Sequence, residues 1–124
     1  ASYNTVPRAH EEAWAPLASS PTALTQFAHA LGITSLEFVD VLGLDEELLS
    51  LLPAPVLALL MIFPTTTGAT AYLSAREAEA TPSPSTEAAA CFLRQRCGGT
   101  CGTIASLHAL ANTAAGGAVR RLLD

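Results

Sequence analysis

A helix that is apolar almost all the way round constrains this chain more than any other feature. Residues 102–112 read Gly-Thr-Ile-Ala-Ser-Leu-His-Ala-Leu-Ala-Asn and contain no Asp, Glu, Lys or Arg. A helix without a polar face must be covered on most sides, so we expect a central helix held between two lobes. Charged residues make up 14% of the chain, against about 25% in an ordinary soluble domain. This composition is typical of a piece of a larger core.

The start of this helix is marked by a glycine pair and a cysteine. Gly98 and Gly99 allow a sharp backbone turn, which places Cys101 in the first helical turn. Unpaired backbone N–H groups and the helix dipole favour an anion there. Since the thiolate is the reactive form of cysteine, the pattern indicates Cys101 as a nucleophile.

Gln95 lies six residues before this cysteine, at the end of an extended segment. A hairpin-like return of the chain would aim its side-chain amide beside the Cys101 sulfur. The amide and the Cys101 backbone N–H would then stabilise a tetrahedral oxyanion, a contact worth about 3 to 4 kcal/mol per donor. We therefore predict that Gln95 is the oxyanion donor.

The other cysteines have simpler interpretations. A free cysteine is usually a small buried hydrophobe, which is the interpretation we prefer for Cys91, while that of Cys97 is left open. A zinc site of three cysteines and His108 is not expected, because Cys101 and His108 are about 10 Å apart in helical rise. The same distance excludes His108 as the general base, and we predict a hydrogen-bonded helix histidine.

Four helical segments are predicted, two of them from capping signals in the first half of the chain. Ser20 and Pro21 have the cap-then-proline order, and Gly32 supplies a stop. Asp45 can cap a second, brief helical turn. The predicted helical segments are Thr22–Leu31, Asp45–Leu52, Cys101–Asn112 and Val119–Leu123.

Three segments are predicted to be extended. Residues 36–41 alternate apolar and acidic side chains, which favours a strand with one wet face. Residues 56–63 contain no polar side chain, which favours a strand covered on both faces. Residues 91–95 are predicted to form a second buried extended segment.

Several classes of partner are disfavoured by the composition. The longest uninterrupted apolar run, Val56–Phe63, is far shorter than the ~20 residues that span a bilayer, so no membrane segment is expected. The chain has no lysine, its six arginines are scattered and its net charge is −5, which argues against nucleic acid. The N-terminal residues lack the order of a secretory signal, so we expect a cytoplasmic or nuclear location.

The segment Phe92–Asn112 resembles the active-site segment of the ubiquitin C-terminal hydrolases. Further stretches resemble the same family in the same order: Trp14-Ala-Pro-Leu, Phe38-Val-Asp-Val-Leu-Gly-Leu-Asp, Glu47-Leu-Leu, Pro53-Ala-Pro-Val and Phe63-Pro. The likeness runs from about Trp14 to Asn112, and the region from Pro64 to Ala88 is its variable part.

This resemblance implies an α+β fold of the papain-like type, truncated after the active-site helix so that helices dominate and the sheet is incomplete. Residues 1–124 would then form a single partial catalytic domain. Its predicted parts are an N-terminal helix and strands (11–63), a variable flexible insertion (64–88) and the active-site segment and helix (89–124).

The resemblance also implies a function: thiol-dependent hydrolysis of adducts at the C-terminus of ubiquitin. Cys101 matches the family nucleophile and Gln95 its oxyanion-stabilising glutamine. The lead-in segment, here Pro16, Leu17 and Pro21, is expected to contact ubiquitin or a ubiquitin-like modifier. No cofactor and no metal are expected.

One departure from the family pattern limits this expectation. In the family the catalytic His and its orienting Asp lie well beyond the cysteine helix, whereas the sequence here extends to Asp124. We therefore expect weak hydrolysis by this chain alone, and a C-terminal half as a further partner. The alternative is a catalytically incomplete fragment that still binds ubiquitin.

Overall fold

The computed structural model describes residues 14–80 and 90–123. The chain divides into one compact unit of residues 1–59 and 91–124 and a second unit of residues 60–90. All regular structure in the described residues is helical: α1 (Pro21–Ala30), α2 (Glu46–Leu49), α3 (Thr67–Glu79), α4 (Cys101–Ala111), a 3₁₀ turn (Ala114–Gly116) and α5 (Gly117–Leu123). None of these helices is long and apolar enough to cross a bilayer.

The first helix begins and ends where its capping residues predict. The Ser20 hydroxyl accepts a hydrogen bond from the Ala23 N–H at 3.3 Å, and Pro21 is the first helical residue. Gly32 follows the helix with a φ of +84°, a left-handed conformation that glycine adopts without strain. The predicted helix is confirmed with bounds shifted by one residue.

The core of the first unit lies where α1, α4 and α5 meet. Its buried members are Ala28, Ile33, Leu110, Ala111 and Val119. Gly116 allows the 3₁₀ turn to fold back on α4, because a Cβ at this position would overlap the Leu110 carbonyl. The predicted helices Cys101–Asn112 and Val119–Leu123 are both confirmed, each ending or beginning within two residues of its prediction.

The two predicted strands are wrong, since residues 36–41 and 56–63 have no regular structure. In the first of them, the Phe38 N–H donates to the Thr25 hydroxyl of α1 at 2.9 Å, so a side chain replaces a neighbouring strand. Leu36 and Phe38 pack beside the core, as the alternation predicts, while Val41 is exposed. A strand requires backbone partners, and no part of the described chain supplies them.

The second predicted strand differs further from its prediction. Met61 is 75% exposed and Ile62 is 72% exposed, so this apolar stretch is not covered on either face. The α+β class is therefore not seen in the described residues, where helices dominate without a sheet.

The second unit contains a helix to which the sequence analysis assigned no element. The Thr66 hydroxyl caps α3 by accepting from the Ala69 N–H at 3.1 Å, and Arg76 pairs with Glu79 near its end at 3.1 Å. A shallow apolar groove of about 150 Å³ lies within this unit, lined by Met61, Phe63, Ala69, Tyr72 and Leu73. The proline-rich residues 81–89 lie outside the described residues, and the variable flexible insertion stays a prediction.

Candidate active site

Cys101 is the first residue of α4, and its side chain is exposed. The N-cap residue, Thr100, does not cap the helix through its side chain. Its hydroxyl instead donates to the Cys97 carbonyl at 2.8 Å. The Thr100 side chain therefore does not cap the backbone N–H groups of the first turn. These groups lie at the same end of the helix as Cys101. The predicted placement of Cys101 at a helix start is confirmed.

The turn before Cys101 depends on Gly99 for two reasons. Its φ is +77°, and a Cβ at this position would overlap the carbonyl oxygen of Trp14. The Trp14 N–H also donates to the Gly98 carbonyl at 3.3 Å. The glycine turn was predicted from the sequence, but its close contact with the Trp14 backbone was not.

The lead-in segment continues along the same turn. Pro16 is exposed and lies within 3.8 Å of the position that a Cβ on Gly99 would take. The Leu17 carbonyl oxygen would lie 3.2 Å from a Cβ on Gly102. Pro16 and Leu17 are thus neighbours of the Cys101 turn, while Pro21 is half-buried at the start of α1. Contact of these three residues with ubiquitin stays a prediction.

Gln95 precedes the Cys101 turn, and its side chain bonds to the backbone of that turn. Its side-chain amide donates to the Cys97 carbonyl at 3.0 Å, and its side chain is exposed. The Cys97 carbonyl thus accepts from both Gln95 and Thr100. Within the described residues, this amide bonds to the turn rather than to the Cys101 sulfur, so its role as oxyanion donor stays a prediction.

His108 and Asn112 bind the backbone of the segment that leads to Gln95. His108 Nε2 lies 2.7 Å from the Leu93 nitrogen, which donates to it, and 3.0 Å from the Leu93 carbonyl oxygen. The Asn112 amide oxygen accepts from the Cys91 N–H at 2.8 Å, and its nitrogen donates to the Cys91 carbonyl at 2.9 Å. The predicted hydrogen-bonded helix histidine is confirmed, while Asn112 was missed.

A signal for Asn112 was present in the sequence. It lies four residues after His108, on the same face of α4, and the predicted extended segment precedes the helix by a short turn. An amide that can donate and accept at once is suited to pair with an extended backbone. Cys91 is half-buried and packs beside the core, which confirms its interpretation as a small hydrophobe.

The pattern of the family described as ubiquitin carboxyl-terminal hydrolase, family 1, matches residues 14–124. A ubiquitin carboxyl-terminal hydrolase of Aplysia californica is 38% identical over 105 residues, which cover 84% of this chain and 47% of that protein. Ubiquitin carboxyl-terminal hydrolase 3 of Arabidopsis thaliana is 37% identical over 101 residues, which cover 80% of this chain and 43% of that protein.

A human protein, ubiquitin carboxyl-terminal hydrolase isozyme L1, is 37% identical over 98 residues, covering 78% of this chain and 44% of that protein. The matched part of the chain thus spans less than half the length of these relatives. No solved structure matches the chain significantly.

Proposed function

The chain belongs to family 1 of the ubiquitin carboxyl-terminal hydrolases, and we propose that it carries the nucleophilic half of a site that hydrolyses adducts at the C-terminus of ubiquitin. The observation that supports this most is the exposed Cys101 at a helix start that Thr100 leaves uncapped. A sulfur exposed at a helix start is accessible to a substrate carbonyl, and the cysteine thiolate is the nucleophile in this chemistry.

In the proposed reaction, the Cys101 thiolate adds to the carbonyl carbon of the C-terminal glycine of ubiquitin. A sulfur–carbon bond forms, and the carbonyl π electrons move to oxygen as an oxyanion. The Cys101 backbone N–H donates to this oxyanion. When the oxyanion collapses, the leaving group departs and needs a proton, which a general acid must supply.

Gln95 is proposed to supply the second oxyanion donor after its amide leaves the Cys97 carbonyl. An exposed neutral hydrogen bond of this kind contributes only about 1 kcal/mol net. A donor to an oxyanion is worth about 3 to 4 kcal/mol. The exchange of partners is therefore favourable once the oxyanion forms.

The proton for the leaving group is proposed to come from a His oriented by an Asp, outside the described residues or in a C-terminal partner. His108 does not take this role, because its Nε2 is used by the Leu93 backbone. Pro16, Leu17 and Pro21 are proposed to contact ubiquitin or a ubiquitin-like modifier beside the Cys101 turn. All three cysteines are free, which suits a reducing compartment such as the cytoplasm.

A second candidate function is ubiquitin binding without hydrolysis. It is favoured by the Gln95 amide, which bonds to the Cys97 carbonyl rather than to the Cys101 sulfur in the described residues. In this alternative the chain would hold ubiquitin through the lead-in segment and the Cys101 turn, without turnover.

Ubiquitin carrying a C-terminal alkylating group separates the two candidates. We expect the protein to form one covalent adduct, with the bond at Cys101 by peptide mapping. Cys101→Ser should abolish the adduct, while Cys91→Ser and Cys97→Ser serve as matched controls and should retain it. Binding of ubiquitin without an adduct would support the second candidate, and absence of both would contradict the proposal.

A further inference from the structure

We propose that His108 and Asn112 are positioning residues for Gln95. Together they hold residues 91–93 along α4 and so place the oxyanion donor relative to Cys101. This inference rests on the proposed function of Gln95 and Cys101, and deepens it by assigning two residues that touch neither substrate nor sulfur.

The bonds made by the pair imitate those of a neighbouring strand. Asn112 donates to and accepts from the backbone of Cys91, at 2.9 and 2.8 Å. His108 Nε2 lies within 3.0 Å of both backbone groups of Leu93. Asn112 therefore pairs both backbone groups of Cys91, and His108 Nε2 pairs one group of Leu93 at a time, as acceptor from the N–H or as donor to the carbonyl.

The spacing of His108 and Asn112 explains why they can bond to alternate residues of an extended segment. Residues four apart on a helix are separated by about 6 Å along its axis, and residues two apart in an extended chain by about 6.6 Å. Leu93 pairs with His108 and Cys91 with Asn112, so the segment runs antiparallel to α4 with matching repeats. One face of the helix thus acts as the partner strand.

Two further contacts fix the orientation of the pair. Asn112 Nδ2 also donates to the His108 carbonyl at 2.8 Å, which holds the amide in one orientation. The His108 ring stacks on Phe92 with centroids 4.9 Å apart and planes 20° apart. These contacts limit rotation of both side chains, as a positioning role requires.

Gln95 lies between two anchors that both belong to α4 and its cap. On one side Leu93 is bound by His108, and on the other the Cys97 carbonyl accepts from Thr100, the residue before Cys101. The helix that carries the nucleophile thus also determines where the oxyanion donor lies. Loss of the first anchor should move Gln95 while Cys101 stays at the helix start.

Two ubiquitin probes separate these effects in the full chain. A C-terminal aldehyde is attacked by Cys101, and the carbonyl oxygen of the resulting hemithioacetal needs the oxyanion donors. A C-terminal bromoalkyl group forms a sulfur–carbon bond with loss of bromide and creates no oxyanion. We expect His108→Ala and Asn112→Ala to weaken aldehyde binding by at least about tenfold, since misplaced catalytic groups lose that much or more, with the alkylation rate nearly unchanged.

Three variants sharpen the test. His108→Gln is expected to restore aldehyde binding, because a Gln amide nitrogen or oxygen can take the place of Nε2. Adding His108→Ala to Gln95→Ala should cause no further loss, since the pair acts through Gln95. His29→Ala, on exposed α1 surface, is the matched control and should behave as wild type.

The outcomes that overturn the inference are distinct from failure of the proposed function. Aldehyde binding unchanged in His108→Ala and Asn112→Ala overturns it, and so does an equal loss with both probes. If the wild type reacts with neither probe, the proposed function fails. The position of Gln95 is then decided by the NMR signals of its side-chain amide, which should move to random-coil values in His108→Ala but not in His29→Ala. Unmoved signals overturn the inference.

Discussion

Residues 91–95 and residues 56–63 were both predicted as buried extended segments, yet their surroundings in the structure differ. The first is bound along α4 by His108 and Asn112, with Cys91 and Leu93 half-buried. The second has no regular structure, and Leu59 and Met61 are each 75% exposed. The difference teaches that the face of a helix can provide partners for the backbone polar groups of an extended segment where no neighbouring strand does.

The largest effect is expected when packing is removed beneath α4, the helix that binds residues 91–93. Leu110 on α4 is 2% exposed, so Leu110→Ala leaves a cavity and should lower the free energy of unfolding by about 3 kcal/mol. Leu59→Ala, the same change at an exposed position in residues 56–63, should lower the free energy of unfolding by less than about 0.5 kcal/mol. Urea unfolding followed by circular dichroism measures both, and equal costs would contradict the comparison.

Next in size is the removal of the side-chain partners themselves. Asn112→Ala removes both bonds to Cys91 and should lower the free energy of unfolding by about 1 to 2 kcal/mol, because these bonds are partly exposed to water. Hydrogen exchange of the Cys91 amide should accelerate with it. An Asn112→Ala protein in which that amide exchanges as slowly as in wild type would break the comparison.

A smaller effect, of opposite sign, is expected at Ser106, six residues before Asn112. Ser106 is fully buried, and its hydroxyl has no hydrogen-bond partner among the described residues. Ser106→Ala should raise the free energy of unfolding by about 1 kcal/mol, since an unpaired buried hydroxyl is costly. Thermal unfolding compared with wild type measures this. A lower midpoint would mean that the hydroxyl has a partner, and that α4 uses a polar contact here too.

The smallest effect is expected among the exposed side chains of residues 56–63. Met61→Lys and Ile62→Lys should change the free energy of unfolding by less than about 0.5 kcal/mol, because both side chains are largely exposed. The same substitutions should reduce association of the chain, measured by light scattering, since exposed apolar surface promotes it. A large loss of stability would show that residues 56–63 are covered, as their sequence predicts.

Much of the fold could be predicted where the signal is local. Ser20, Asp45 and Gly32 act on neighbouring backbone groups, so the bounds of α1 and the start of α2 were recovered within one or two residues. The glycine turn before Cys101 is local in the same sense. Strands could not be predicted with the same success, because their hydrogen bonds need a second segment that the alternation of side chains does not identify.

The candidate site divides in a similar way. Cys101 and Gln95 were singled out from residue type and spacing, but the contact of Gln95 with the Cys97 carbonyl and of Gly99 with the Trp14 backbone were not. Helix α3 was not predicted, because its Thr66 cap lies within a run of threonines and a glycine that is typical of a polar insertion.

The sequence by itself determined α1, α2, α4 and α5, the caps of the first two, the position of Cys101 at a helix start and the family, because these depend mainly on residues adjacent in the chain. Only the tertiary structure decided which extended segment is bound and by what. His108 and Asn112 pair with residues 15 and 21 positions earlier, through a match between helical and extended repeats that exists only once the chain has folded back. The physical reason is that backbone hydrogen bonds between distant residues depend on geometry, whereas a cap depends on its immediate neighbours.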